Sequence, residues 1–206
     1  MMRTIKVIIV ILLITSIISG CQKENLLFSF YIAMDCSGST GDLIFKRYFG
    51  LLKSIVNTIP KRNSWLAFYT FASEVTLQWS GKPAKNCLWA VEDKIIKQKN
   101  PEKGTRVDLL LEQLLKDMEI TQGKCIHVVI ISDGGDDGSG NIKPLIQKMA
   151  GENRIKTVFI IGIKPENRIK INNLFQPLGA KLTTAGLYDT KVSIAEWRKT
   201  VRNTKD

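Results

Sequence analysis

The sequence from Leu27 to Ser39 is LFSFYIAMDCSGS. Its first part is almost wholly apolar and aromatic, which predicts a buried β-strand. This strand would deliver Asp35 to its carboxyl end, and Gly38 would let the backbone turn just beyond it. The carboxylate is followed at once by the hydroxyls of Ser37 and Ser39, and oxygen donors of this kind suit a hard cation. The same residues also fit a Ser/Gly turn that caps the next helix, so the rest of the chain decides between the two.

Apolar and amphipathic runs alternate along the rest of the chain, which is typical of an α/β fold with a largely parallel sheet. Strands are predicted over 27–34, 65–71, 75–79, 125–132, 156–163 and 180–185. Helices are predicted over 41–58, 85–98, 107–119, 142–150, 166–177 and 189–203. The link between the second and third strands is so short that it indicates a hairpin, with the third strand antiparallel at the sheet edge.

The direction of each element predicts which loops meet at the carboxyl ends of the parallel strands. After the hairpin, helix 85–98 must run back toward this edge, which places Thr105 beside Asp35. Strand 125–132 ends at the same edge and delivers Asp133. Ligands of open α/β sheets bind at this edge. We therefore expect five side chains to converge there: Asp35, Ser37, Ser39, Thr105 and Asp133.

This set of residues resembles the metal-ion-dependent adhesion site of the von Willebrand factor type A domain family. The matching patterns are Asp35-x-Ser37-x-Ser39, Gly104-Thr105 and Ser132-Asp133-Gly134. The order of elements over roughly residues 27–203 is similar to that of the family as well. The resemblance implies a three-layer, Rossmann-like fold with a mostly parallel six-stranded sheet. The implied strand order is 3-2-1-4-5-6, with one antiparallel edge strand and helices on both faces.

The resemblance also implies a bound Mg²⁺ or Mn²⁺ ion, with Ca²⁺ less favoured. The ion would be held by Asp35, Ser37, Ser39, Thr105 and Asp133. All-oxygen ligation suits hard cations, and Mg²⁺ keeps water ligands when the protein supplies few carboxylates. A carboxylate of a partner can replace one of these waters. The implied function is therefore a protein-binding module, for adhesion or assembly, that captures an acidic residue of a protein or cell-wall ligand.

Four further acids are predicted near the same edge. Asp42 and Asp108 each begin a helix, where a carboxylate is stabilised by the positive end of the helix dipole. Asp136 and Asp137 fit either a solvated loop or a contact with the partner. The sequence has no Asp-x-Asp-x-Asp-Gly pattern of the kind that forms calcium loops.

Two other functions fit parts of this pattern. A structural subunit of an envelope or secretion complex would use the same metal for a permanent contact. A Mg²⁺-dependent hydrolase similar to the haloacid dehalogenase phosphatases would need a second acid where Ser37 stands. The single histidine, His127, is predicted inside a strand, which does not suit a general base. We therefore expect a binding module rather than an enzyme.

Residues 1–20 have the features of a bacterial lipoprotein signal peptide. A basic start and an apolar run precede Ile18-Ser19-Gly20-Cys21, which resembles a lipobox. Cleavage before Cys21 would leave residues 21–26 as a short lipid tether and residues 27–206 as the domain. An uncleaved anchor and an ordinary signal peptide are the alternatives. We expect an exported protein that is anchored to a bacterial membrane through lipid on Cys21.

The chain is basic, with 30 Lys and Arg against 19 Asp and Glu and a formal net charge of +11. These cations are scattered and not interleaved with aromatic residues, so we expect no nucleic-acid partner. The last helix should bring four of them to the edge where the tether enters: Arg198, Lys199, Arg202 and Lys205. We therefore expect this basic end to lie against anionic lipid and the metal edge to point outward. Gln22, next to the lipid-bearing cysteine, favours the outer membrane or cell surface.

Three cysteines follow Cys21: Cys36, Cys87 and Cys125. Cys36 is predicted at the opposite edge of the sheet from the other two. Cys87 with Cys125 is therefore the only pair within one chain that could form a disulfide. Because the count is odd, at least one thiol stays free unless it pairs between chains.

Overall fold

A computed structural model of the chain describes residues 27–84, 87–98, 104–135 and 141–204. Its six strands, numbered in chain order, form one sheet in the order β3-β2-β1-β4-β5-β6. The strands are β1 (Phe28–Asp35), β2 (Ser64–Phe71), β3 (Val75–Gly81), β4 (Cys125–Ile131), β5 (Ile155–Ile163) and β6 (Leu182–Gly186). All neighbours pair in parallel except β2 and β3, which are antiparallel. The predicted fold, strand order and antiparallel edge strand are thus confirmed.

Helices cover both faces of this sheet. They are α1 (Gly41–Val56), α2 (Trp89–Gln98), α3 (Val107–Ile120), α4 (Ile142–Gly151), α5 (Arg168–Phe175) and α6 (Thr190–Asn203). The predicted bounds agree to about two residues except at the start of α2. Cys87 and Leu88, predicted as helix, form a turn before Trp89, in which the Cys87 N–H binds the Ala84 carbonyl at 3.2 Å.

Alternate side chains of the strands build two hydrophobic cores. Phe30 and Ile32 of β1 point into a core that is closed by α1, α2 and α6. Tyr31 and Ala33 point to the other face, into a core closed by α3, α4 and α5. Every residue of β1 is buried, because this strand lies inside the sheet and is covered on both faces. Burial of large apolar side chains, at about 1.5–3 kcal/mol each, holds the three layers together.

The strand register brings loops that are distant in sequence to the same edge of the sheet. Phe28 pairs with both Ser64 of β2 and Cys125 of β4, so these three strands start together. We call the side on which the parallel strands end the carboxyl edge, formed by loops 36–40, 104–106, 132–135 and 164–167. The opposite side is the amino edge, formed by loops 57–63, 121–124 and 152–154. This register explains why Asp35 and Asp133 emerge at the same edge.

Helix α6 packs on the sheet through Trp197, which is 2% exposed. Its ring stacks on Phe159 at 5.9 Å between centroids, and its Nε1 donates a hydrogen bond to Thr157 Oγ1 at 3.2 Å. Thr157 Oγ1 also lies 2.9 Å from Nδ1 of His127, whose ring stacks on Phe30. Burial lowers the pKa of His127 to about 4. His127 is therefore a neutral core residue at pH 7, as its place within a strand indicated.

Cys36, Cys87 and Cys125 are free, buried thiols in the structure, so the possible Cys87–Cys125 disulfide is not formed in it. The Cys125 thiol donates a hydrogen bond to the Thr204 carbonyl at 3.6 Å. The Cys125 thiol therefore faces the end of α6.

Several predictions concern segments outside the described residues. These are the signal peptide 1–20, the tether 21–26 with Cys21, the acids Asp136 and Asp137, and Lys205. Within the described ranges, no helix has both the length and the apolar character needed to cross a membrane.

Candidate metal centre

Asp35 ends β1 at the centre of the carboxyl edge and is fully buried. Its Oδ1 accepts a hydrogen bond from the Ser37 N–H at 2.9 Å, and its Oδ2 accepts one from the Ser132 hydroxyl at 2.8 Å. Burial raises the pKa of Asp35 to about 6, against these hydrogen bonds and with a smaller contribution from the charge of Asp133. A buried carboxylate held in this way is stabilised by a nearby cation.

Three hydroxyls lie in a row beside this carboxylate. Ser37 Oγ is 3.0 Å from Ser39 Oγ and accepts a hydrogen bond from Thr105 Oγ1 at 2.8 Å. Ser37 and Thr105 are buried, whereas Ser39 is exposed. The Thr40 hydroxyl donates to the Ser37 carbonyl at 2.6 Å and fixes the turn that presents the row. The row therefore leads from the protein interior to solvent.

Asp133 follows β4 and is 1% exposed. Its Oδ1 accepts a hydrogen bond from the Gly135 N–H at 2.8 Å. Its Oδ2 forms an ion pair with Lys164 Nζ at 2.9 Å. The same ammonium donates to the Ser39 carbonyl at 3.2 Å. Lys164 thus links the loop after β1 to the loop after β4.

The carboxyl edge is backed by Tyr48 of α1, whose hydroxyl donates to the Gly162 carbonyl at 3.3 Å. Gly162 has a φ of 96°, and a Cβ there would lie 2.7 Å from Tyr48 Cε1. Only glycine fits this close approach without strain. Burial raises the pKa of Tyr48, and the charges of Asp133 and Asp35 raise it further, which reflects how near the ring lies to both acids.

This donor set fits a divalent cation that prefers oxygen. Within the described ranges, no group of three or more His, Cys, Asp or Glu side chains could hold a metal. Asp35 and Asp133 would therefore share an ion with hydroxyls and water. Mg²⁺ accepts such a shell, because it retains several waters and needs only one or two carboxylates.

The structure brings together the five residues that the sequence placed at this edge, and it adds Ser132 and Lys164. Ser132 belongs to the quoted pattern, but its bond to Asp35 was not foreseen. Lys164 directly follows the predicted strand 156–163. Its position after this strand predicts that Lys164 lies at the carboxyl edge. The sequence does not predict that its side chain pairs with Asp133.

The two acids predicted at helix starts lie in the first turns of their helices. Asp42 lies in the first turn of α1 and is exposed, and Asp108 lies in the first turn of α3. Arg106 donates to both carboxylate oxygens of Asp108, at 2.8 and 2.7 Å, and lowers its pKa. The charge of Asp108 is thus paired with Arg106 at its own helix start.

An apolar groove adjoins the carboxyl edge. Leu43 is 77% exposed and Tyr188 is 75% exposed on its rim. The Arg47 guanidinium lies 5.1 Å from the centroid of the Tyr188 ring. The lining consists of Leu43, Ile44, Arg47, Lys164, Pro165, Glu166, Leu187 and Tyr188. Lys164 therefore belongs to both the groove and the candidate metal centre.

Comparison with known proteins agrees with this fold. The family model described as the von Willebrand factor type A domain matches residues 30–184. No curated protein matches the chain.

Several solved structures share the architecture. A von Willebrand factor type A from Catenulispora acidiphila has 14% identity and a TM-score of 0.63, over 84% of this chain and 41% of that one. An aerotolerance-related membrane protein from Bacteroides fragilis has 12% identity and a TM-score of 0.66, over 85% of this chain and 99% of that one. The domain of the type V pili tip protein Mfa5 from Porphyromonas gingivalis has 11% identity and a TM-score of 0.68, over 88% and 97%. The chain thus spans about two fifths of the length of the first protein and nearly all of the length of the other two. At these sequence identities, the similarity shows only that the fold is shared.

Proposed function

The chain belongs to the von Willebrand factor type A domain family, and we propose that it is a divalent-metal-dependent protein-binding module with a complete metal-ion-dependent adhesion site. One observation carries the proposal: two buried carboxylates and a row of three hydroxyls converge at the carboxyl edge. The proposed ion is Mg²⁺ or Mn²⁺. Ca²⁺ is less suited, because it favours a larger number of oxygen ligands.

Each residue has a proposed role at this site. The hydroxyls of Ser37, Ser39 and Thr105 contact the ion, and Asp35 and Asp133 hold it directly or through ordered waters. When bound, the ion supplies positive charge and a coordination position that a partner's carboxylate can take. The Ser132 hydroxyl orients Asp35, and the Gly135 N–H orients Asp133.

The proposed partner is a protein or cell-wall ligand that supplies an Asp or Glu side chain. The exposed Leu43 and Tyr188 offer apolar contact beside the metal, and exposed apolar surface next to a polar site favours partner binding. Asp136 and Asp137 remain proposed partner contacts outside the described residues. The similar fold of a pilus tip protein and of a membrane protein supports a role at the bacterial surface.

A permanent subunit of an envelope or secretion complex is the second candidate. The same exposed groove favours it, since permanent interfaces are more apolar than transient ones. We do not propose enzymatic activity, because His127 is buried within the sheet and lies away from the carboxyl edge.

Capture from envelope extract tests metal-dependent binding. Immobilised wild-type protein and the variant Ser37→Ala/Ser39→Ala are compared in Mg²⁺ and in EDTA. We expect a partner that the wild type retains in Mg²⁺, and that EDTA or the double substitution releases. The variant Ser54→Ala/Ser80→Ala, which removes two exposed hydroxyls far from the carboxyl edge, should behave as wild type. Equal retention under all conditions contradicts the proposal, and a stoichiometric partner that EDTA does not release favours the permanent subunit.

We also propose that the protein is exported and anchored to a bacterial membrane, the outer membrane or cell surface, through lipidated Cys21. The Leu27 N–H binds the Asn63 carbonyl at 2.9 Å, so the described chain enters the domain at the amino edge. The bond from Cys125 to Thr204 brings the end of α6 to this edge too. A membrane anchor would therefore lie opposite the candidate metal centre.

Exposed cations lie on elements that begin or end at the amino edge. They are Arg198, Lys199 and Arg202 on α6, with Lys61, Arg62, Lys124 and Lys156 at the starts of strands. Anionic lipid headgroups attract such a surface within about a Debye length, roughly 10 Å at 0.1 M salt. The amino edge is therefore suited to face the membrane.

Neutralising the four predicted membrane-facing cations should weaken binding of non-acylated protein to anionic phosphatidylglycerol vesicles. The variant replaces Arg198, Lys199, Arg202 and Lys205 with Gln, and the loss should be largest at low salt, measured by co-sedimentation. A control variant replaces as many exposed cations near the carboxyl edge: Lys46, Lys143, Arg168 and Lys170. The proposed orientation is wrong if both variants bind equally well.

A further inference from the structure

Lys164 places a positive charge directly against the proposed metal ligands. Its ammonium lies 2.9 Å from Asp133 Oδ2 and 3.2 Å from the Ser39 carbonyl oxygen. The Asp133 side chain is 1% exposed, whereas that of Lys164 is 27% exposed. One ligand carboxylate is therefore already paired with a cation that reaches it from the solvent side.

The backbone keeps Lys164 at this position. Its N–H donates to the Asp133 carbonyl at 3.0 Å, and the Asn167 side-chain amide donates to the same carbonyl at 2.9 Å. Pro165 follows and disfavours helical conformation at the preceding residue. Lys164 is accordingly extended, with φ −68° and ψ 146°. The ion pair thus arises from the path of the chain after β5.

We infer that Lys164 is a resident cation of the metal centre, which holds Asp133 until a divalent ion displaces its ammonium from Oδ2. This inference rests on the proposed function and adds a residue that opposes metal binding without being a ligand. A divalent ion held by Asp133 would be repelled by an ammonium that already lies 2.9 Å from the same carboxylate. Lys164 therefore raises the metal concentration at which the site fills.

The inference predicts two effects of opposite sign in one variant. In Lys164→Met the competing charge is absent, so Mn²⁺ should bind at least about tenfold more tightly than to wild type. The metal-free variant should melt at a lower temperature, because Asp133 loses the partner of its buried charge. Its rise in melting temperature on adding Mn²⁺ should exceed that of wild type.

Titration calorimetry with Mn²⁺ and thermal unfolding in EDTA measure these effects. Lys164→Arg keeps the charge and should bind Mn²⁺ nearly as wild type does. Lys148→Met removes an exposed charge near the amino edge and should leave the affinity unchanged. If Lys164→Met fails to fold, Lys164→Gln carries the same expectation, since its amide can still bond the Ser39 carbonyl.

The outcomes separate this inference from the proposed function. If Lys164→Met binds Mn²⁺ with wild-type affinity or more weakly, Lys164 does not compete, and the proposed metal site itself stands. A purely structural role would lower both the melting temperature and the affinity. If none of the proteins binds Mn²⁺, the proposed metal site is wrong and the inference falls with it.

Discussion

Asp35→Asn is expected to abolish divalent-metal binding and to raise the free energy of unfolding of the metal-free protein by about 2 kcal/mol at pH 7. Burial raises the pKa of Asp35 to about 6 in the fold, against about 3.9 in an unfolded chain. At about 1.4 kcal/mol per pKa unit, the buried charge costs about 3 kcal/mol at neutral pH. Asparagine removes that charge but offers the metal no carboxylate.

The substitution keeps the hydrogen bonds that orient residue 35. The asparagine Oδ1 can accept from the Ser37 N–H, and its Nδ2 can donate to the Ser132 hydroxyl oxygen, in place of the two bonds that Asp35 accepts. Ser132 must turn its own proton elsewhere, which offsets part of the gain. The net stabilisation is therefore smaller than the cost of the charge.

Urea unfolding in EDTA at several pH values tests the sign. Because the pKa of Asp35 is raised in the fold, the destabilising contribution of its buried charge disappears as pH falls from about 7 to about 4, where the carboxyl becomes protonated. The advantage of asparagine should shrink over the same range. Asp108→Asn is the matched contrast, since Arg106 lowers the pKa of Asp108, and this variant should be less stable than wild type. A metal-free Asp35→Asn protein that is less stable than wild type at pH 7 contradicts the expectation.

Much of the fold was predictable because burial and direction are encoded locally. The apolar run before Asp35 indicated an interior strand, and the structure buries every residue of β1. The short link after β2 reversed the chain, and that reversal placed Thr105 at the carboxyl edge. The direction of each element was thus enough to predict that the five candidate ligands lie at one edge of the sheet. A residue at the carboxyl end of a parallel strand lies at that edge whatever its other contacts are.

Contacts between particular side chains were not predictable in the same way. The Ser132 bond to Asp35 spans 97 positions, and the Cys125 bond to Thr204 spans 79. Each bond depends on which strands pair and on where the end of a helix packs. Neither can be read from a short stretch of sequence. The direction of β4 correctly predicted that Cys125 lies at the amino edge. Whether Cys125 could bond Cys87 depends on where the two thiols point, and the Cys125 thiol contacts the end of α6.

Trp197→Ala is expected to lower the free energy of unfolding by about 4 kcal/mol. The ring is stacked on Phe159 and lies edge-on to Phe30, with centroids 5.9 and 6.3 Å apart. Its removal opens a large cavity between α6 and the sheet, and it takes away the indole N–H that bonds Thr157. Val192→Ala is the control, because Val192 lies on the same helix but is 67% exposed, and it should change stability by no more than about 0.5 kcal/mol.

Trp197→Phe divides the loss into its two causes. Phenylalanine keeps most of the stacking and gives up the hydrogen bond, so we expect about 1–2 kcal/mol of the total to be lost. Mn²⁺ affinity, measured on the same proteins, should stay at the wild-type value, because the contacts of Trp197 are with Phe159, Phe30 and Thr157, none of which is a candidate ligand. A stability loss in Trp197→Ala as small as that of Val192→Ala would show that Trp197 does not hold α6 on the sheet. A large loss of Mn²⁺ affinity would show instead that the position of α6 is coupled to the metal centre.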